Sequence, residues 1–124
     1  MILIPVSVGE LIDKVTILEI KLERIRDETK RKNCRYEYDL LVKIMLDHHF
    51  AFPEQRAALK KVNERIWEIE DTMRKAEATN TFGNPFIDLT RDEYVSNDHR
   101  AKIKREINQL ARSEIIEEKD YVPY

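Results

Sequence analysis

Apolar side chains recur at alternating steps of three and four from Val8 to Ile25, the spacing of a helix that packs lengthwise against a neighbour. Three more large apolar residues lie off this stripe, and leaving each of them in water would cost about 1.5–3 kcal/mol. They are Ile12, Ile17 and Ile20. We therefore expect this helix to be central, contacted on two or three sides by its own chain or by a second subunit.

The same pattern predicts where the first three helices begin and end. Ser7 followed by Glu10 forms the capping box of a helix that starts there and runs to Arg26. A second stripe with helical spacing predicts a helix over 29–49. A third stripe, opened by a proline that suits a first turn, predicts a helix over 53–78. The short connections favour antiparallel packing of these three helices.

The second half of the chain predicts shorter elements. Residues 79–85 contain one of the two glycines and an Asn-Pro pair, so they are the clearest loop. A short helix is expected over 86–95. A last helix, capped by Asn97 or Asp98, is then expected to run to about residue 118.

Both ends of the chain are expected to be extended. Residues 2–6 are β-prone but contain a proline, which predicts a short arm or an edge strand that covers part of the core. The two tyrosines of the tail, residues 120–124, are expected to dock against this arm. The predicted fold is therefore all-α: a single domain over 1–124, with an antiparallel bundle of three long helices, a short helix, a C-terminal helix and an extended N-terminal arm.

The composition agrees with a helical domain and argues against several classes of function. The chain has 124 residues, of which 37% are charged and only two are glycine, a balance that suits a helix bundle. A net charge of −2 gives no general attraction for nucleic acid or an anionic membrane, and no segment reaches the roughly 20 apolar residues of a membrane span. The single cysteine, Cys34, cannot form an internal disulfide. We expect a cytoplasmic protein with no membrane partner and no nucleic-acid role.

Acidic residues raise the question of a metal site. Glu64, Glu68 and Asp71 share one face of the third predicted helix, and Glu19 with Glu23 forms a second pair. Facing carboxylates could hold Mg²⁺, as in the MazG-like nucleotide pyrophosphohydrolases, which are all-helical. The adjacent glutamates of that family are not reproduced here, and the face opposite an apolar stripe is normally solvated. We therefore expect no metal ion and no cofactor.

A second candidate site lies beside the apolar stripes. Polar and aromatic residues flank the stripes of the first, third and last helices, and their convergence would form a groove for an anionic small molecule, such as a phosphorylated or nucleotide-linked compound. These residues are Glu10, Lys14, Lys21, Trp67, Glu70, Asn97, Arg100 and Lys104. The competing interpretation is a set of interhelical ion pairs, such as Lys14 or Lys21 with Glu70, around a core Trp67.

Three phrases of the sequence resemble an uncharacterised family of small bacterial and phage-associated proteins that carry a domain of unknown function. The phrases are IPVSVGELIDKVTILEIKLERI, VNERIWEIED and NDHRAKIKREIN. The resemblance covers nearly the whole chain and implies a prokaryotic or viral context, without implying an activity. The polar positions that match are Ser7, Glu10, Asp13, Lys14, Lys21, Trp67, Glu70, Asp71, Asn97, Asp98, Arg100 and Lys104.

These observations favour one function and leave two alternatives open. The first is a non-enzymatic interaction module that self-associates as a dimer or binds another protein, through Ile17 and Ile20 or through the aromatic tail. The alternatives are a binding protein or enzyme for the anionic molecule described above, and a Mg²⁺-dependent phosphohydrolase of the MazG type. Whether the protein is an enzyme stays open at this stage.

Overall fold

The computed structural model describes residues 1–124 and contains four α-helices and no β-strand. The helices are α1 (Val8–Arg24), α2 (Glu28–Asp47), α3 (Pro53–Ala78) and α4 (Asn84–Leu110). None of them is long and apolar enough to cross a membrane. The all-helical prediction is therefore confirmed, and the predicted bounds of the third helix agree with those of α3.

Helix α1 lies at the centre of the bundle, because its backbone lies close to each of the other three helices, whereas the backbone of α2 lies close to α1 alone. Contacts between α1 and α4 join Gly9 to Asn108 and Asp13 to Arg100, so these two helices run in opposite directions. The hairpin of α3 and α4 is also antiparallel. Helix α1 therefore packs on α2 on one side and on this second hairpin on the other.

The core gathers around the buried faces of α1. Its largest cluster joins apolar residues from all four helices: Leu11, Ile12, Val15, Met45, Leu59, Val62, Ile103 and Ile107. Ile20, which the sequence assigned to a partner surface, is only 1% exposed and is buried by its own chain. Ile12 is also fully buried. The apolar residues off the stripe therefore serve mainly the internal packing of a central helix.

The predicted short helix and last helix are wrong, because α4 runs without a break through the two expected caps, Asn97 and Asp98. Neither side chain caps a new helix. The Asn97 amide donates to the carbonyl of Glu93 one turn earlier, and the Asp98 carboxylate accepts from the hydroxyl of Tyr124. Polar residues that bond to the preceding turn remain compatible with a continuous helix.

Helix α4 also ends earlier than the predicted residue 118. Arg112 adopts a left-handed backbone, with φ of 51°, and the next amide, of Ser113, donates to the carbonyl of Asn108. This is a Schellman ending, which normally uses glycine at the left-handed position. His49 and Asn80 occupy the same position after α2 and α3. Since none of the three is glycine, the sequence lacks the usual marker of a helix end at these positions.

The two ends of the chain differ from their prediction. Residues Met1–Ile4 are 72–89% exposed, so the arm covers no part of the core, and it forms no strand. The tail runs back along α4 instead of docking on the arm. The ring of Tyr124 packs edge-on against Tyr94, and its hydroxyl donates to Asp98 at 2.6 Å.

Candidate functional site

A buried carboxylate on α1 organises the polar centre of the molecule. Asp13 is only 1% exposed and lies where α1 contacts both α3 and α4. Its two oxygens accept hydrogen bonds from the Arg100 guanidinium, at 2.9 and 2.5 Å. The amide of Asn63 donates both to Asp13, at 2.9 Å, and to the hydroxyl of Thr16, at 3.0 Å. Three helices are thereby joined by one charge-assisted network.

One turn further along α4, Lys104 is held between two carboxylates. Its ammonium lies 2.7 Å from Glu10 of α1 and 2.7 Å from Glu117 of the tail. Burial alone lowers the pKa of Lys104, but the hydrogen bonds to Glu10 and Glu117 outweigh burial and raise it above its ordinary value. Lys104 is therefore charged at neutral pH, and its charge is compensated within the protein.

Two cavities lie on either side of Arg100. The larger, of about 590 Å³, is formed by α4 and the tail, and it is lined by the predicted site residues Asn97, Arg100 and Lys104 together with three tyrosines. The smaller, of about 470 Å³, is formed by α1, α3 and α4 and is lined by Trp67 and Glu70. Both volumes lie in the range of small-molecule sites.

Glu93 lies on α4 at the edge of the larger cavity. Burial and the neighbouring carboxylate of Glu70 raise its pKa. Glu70 itself pairs with Arg74 on the next turn of α3. Glu93 forms no ion pair, so no cation of the protein compensates its charge when it is ionised.

The predicted site residues are distributed over three places. Lys14 extends towards α2, where it pairs with Glu37 at 3.3 Å, and the predicted bridge from Lys14 or Lys21 to Glu70 is not formed. Lys21 lines neither cavity and has no ionic partner. Glu10 lines neither cavity but pairs with Lys104, and the remaining five residues line one or both of them: Trp67, Glu70, Asn97, Arg100 and Lys104. Whether any of them binds a ligand stays a prediction.

The predicted set omitted the residue at the centre of the network, Asp13. One signal could have found it, since Asp13 shares a helical face with Ile17 and Ile20 on a helix expected to be buried on several sides. A carboxylate on such a face needs a cationic partner. Glu117 and Tyr124 could not have been found in this way, because Glu117 was expected within the last helix and Tyr124 was expected to dock against the N-terminal arm.

Three of the five acidic residues considered for Mg²⁺, Glu19, Glu23 and Glu68, are engaged in ion pairs. Glu19 pairs with Arg56 and Lys60, and Glu68 lies 3.4 Å from Arg24. No group of three or more potential metal ligands comes together in the structure. These carboxylates therefore join α1 to α3 along the surface.

Glu117 gives a pH-dependent contribution to stability that can be measured. Hydrogen bonds from Lys104 and then Lys119 lower its pKa below the ordinary 4.5. Its contribution is therefore complete above pH 4.5 and is lost as the pH falls through the lowered value. Since the side chain is about one third exposed, we expect Glu117→Gln to cost at most about 1 kcal/mol of unfolding free energy at neutral pH.

Urea unfolding at neutral pH and well below pH 4.5 checks this expectation. The difference between wild type and Glu117→Gln should vanish in acid. Glu118→Gln is the matched control, because Glu118 pairs with Arg105 in a far more exposed position. An equal loss of stability for Glu117→Gln at both pH values would contradict the assignment.

Comparison with known proteins places the chain in a family. Residues 2–123 match the profile of a family of unknown function, DUF6165. Comparison with curated proteins and with solved structures finds no significant similarity. The match covers nearly all of the sequence and includes every residue of the network around Asp13. The chain therefore belongs to the DUF6165 family, whose function is unknown.

Proposed function

We propose that the protein is a non-enzymatic helical interaction module that associates with a second copy of itself. One observation carries this proposal: Met1, Ile2, Leu3 and Ile4 form a continuous apolar arm whose residues are 72–89% exposed. Scattered apolar residues are normal on a protein surface, but a contiguous apolar segment marks an interaction site. The bacterial or phage context of the family stays a prediction.

The energy available from the arm is large enough for a dimer. Burying four side chains of this size is worth roughly 6–12 kcal/mol, at about 1.5–3 kcal/mol each. A two-fold dimer buries two arms and so doubles this gain. The cost of association is roughly 4–15 kcal/mol, which two arms can offset.

Helix α2 offers a surface on which the partner's arm can lie. Tyr36, Leu40 and Ile44 recur every four residues along its outer side, and all three are exposed. The backbone of α2 lies close to α1 alone among the helices, and the three side chains of this stripe remain exposed. The stripe spans about 12 Å at the rise of a helix, and an extended arm of six residues reaches about 20 Å.

The mass of the protein in solution tests the proposal. By light scattering after size-exclusion chromatography, we expect wild type near twice the 14.8 kDa of one chain. Ile2→Glu combined with Leu3→Glu, and Leu40→Glu separately, should reduce the mass to that of one chain, because each change places a charge in the proposed interface. Circular dichroism should show unchanged helix content.

Val122→Glu is the matched control, because Val122 is as exposed as Ile2 but lies in the tail. This variant should remain dimeric. A single-chain mass for wild type over a wide dilution series would refute the proposal. So would a dimer that survives both the arm and the α2 substitutions.

A second candidate function is the binding of a small molecule. The observation that favours it is the cavity of about 590 Å³ beside Arg100, which is lined by three residues of the predicted site. Binding there would use surfaces separate from the arm and from the outer stripe of α2, so the two functions are compatible. The sequence favours an anionic guest, but whether the cavity can bind an anion depends on the charges of the residues around it.

A further inference from the structure

The tail forms one wall of the larger cavity. After α4 ends, the chain turns back along the helix, so that Glu117 contacts Lys104 and Tyr124 contacts Asp98. Tyr121 and Val122 lie between these contacts and line the cavity. The space is therefore an open cleft between the middle of α4 and the last six residues of the chain.

All three cations that line this cavity are already paired. Arg100 is bound by Asp13, at 2.5 Å, and Lys104 by Glu10 and Glu117, both at 2.7 Å. Lys119 lies 3.0 Å from Glu117. An anionic guest would have to compete with these carboxylates for every cation. The lining cations therefore offer little free positive charge.

Two carboxylates of the cavity have no cationic partner. Asp98 accepts a hydrogen bond from the neutral hydroxyl of Tyr124, and Glu93 faces the like charge of Glu70. Neither takes part in an ion pair. The lining holds three cations and two carboxylates, and the three cations are paired with carboxylates that are not part of the lining, Asp13, Glu10 and Glu117. Glu93 and Asp98 are therefore the charged groups of the lining that have no ionic partner within the protein.

Three tyrosine rings complete the lining, those of Tyr94, Tyr121 and Tyr124. All three are exposed, so their faces are open to a guest. The face of an aromatic ring attracts a cation through its quadrupole, and several rings around one space form the usual recognition site for ammonium groups. Lys119 already lies over the ring of Tyr121, at 5.9 Å from its centre.

We propose that this cavity binds a small organic ammonium compound. The positive group lies between the tyrosine rings and is neutralised by Asp98 and Glu93, and the volume of about 590 Å³ limits the guest to a small molecule. The inference rests on the second candidate function above, for which it names the chemical class. It differs from the sequence-based expectation of an anionic guest because the two cations of that expectation that line the cavity, Arg100 and Lys104, are paired.

Isothermal titration calorimetry of the full chain with choline, and in parallel with inorganic phosphate, tests the inference. We expect choline to bind and phosphate not to bind. Asp98→Asn should weaken choline binding by roughly five- to tenfold, because it removes a negative charge but keeps an acceptor for Tyr124. Asp39→Asn, an exposed substitution on α2, is the matched control and should leave binding unchanged.

A pair of substitutions at Tyr94 separates the ring from the hydroxyl. Tyr94→Phe keeps the aromatic face and should bind choline as wild type does, whereas Tyr94→Leu should weaken binding by roughly fivefold. Equal binding by both variants would overturn the role of the ring. If phosphate binds and choline does not, the small-molecule function stands and the cationic class is wrong. If neither probe binds at millimolar concentration, both the inference and the second candidate function fail.

Discussion

Replacing Asp13 with alanine is expected to lower the free energy of unfolding by about 3 kcal/mol or more, because one partner of a buried ion pair is removed and the other is left behind. Arg100, which is about one quarter exposed, would lose both of its bonds to the carboxylate. The buried amide of Asn63 would lose an acceptor as well. Urea unfolding monitored by circular dichroism gives the difference directly.

A double-mutant cycle separates the pair from its surroundings. Arg100→Ala alone should also destabilise the protein, and the variant with both substitutions should be less destabilised than the two single effects added together. This non-additivity is the signature of a direct interaction. A loss below about 1 kcal/mol for Asp13→Ala would show that the network contributes no more than a surface ion pair.

Gly9→Ala is expected to destabilise the fold by about 2 kcal/mol or more, although alanine is the better helix former by about 1 kcal/mol. A β-carbon at this position would lie 2.6 Å from the carbonyl oxygen of Lys104, which is backbone and cannot rotate away. Helix α1 would have to move from α4. That movement would strain the hydrogen bond from the Gly9 amide to Asn108, now 2.6 Å long. The side-chain nitrogen of Asn108 already has no hydrogen-bond partner. Loss of the bond from Gly9 would therefore leave the whole buried side chain without a partner.

Gly83→Ala provides the matched control for this close approach. Gly83 precedes α4 with a negative φ of −77°, and a β-carbon there would meet nothing closer than 3.8 Å. Thermal unfolding of the two variants should therefore differ clearly, with Gly83→Ala near wild type. Equal melting temperatures would contradict the proposed contact between α1 and α4.

The sequence predicted most of the helices because most of them follow the apolar spacing. The bounds of α3 follow from Pro53 at its start and from a long apolar stripe. The bounds of α4 do not follow from the sequence, since Asn97 and Asp98 resemble caps until the bonds of their side chains, to Glu93 and Tyr124, are known. The capping box at α1 is also only half formed, because one of its two side chains bonds to a distant part of the chain. Ser7 caps the amide of Glu10, but the Glu10 side chain extends to Lys104, an interaction across 94 positions.

The candidate site was harder to predict than the fold, because it depends on contacts between distant parts of the chain. Periodicity identified Arg100 and Lys104 as residues of one face of a helix. It could not show that carboxylates from α1 and the tail neutralise them. The placement of the tail followed from where α4 ends, and that end is set by a left-handed Arg112. One misplaced helix end therefore concealed the larger cavity.

The pairing of the first helix with the last has a consequence for biosynthesis. Asp13 leaves the ribosome early in translation, but its partner Arg100 follows 87 residues later. The amide of Gly9 donates to Asn108, which is synthesised 99 residues after it. Until then the central helix of the finished protein carries an uncompensated carboxylate and an uncovered apolar face. The nascent chain can form its hairpins as it emerges, but the native core closes only when α4 has been synthesised.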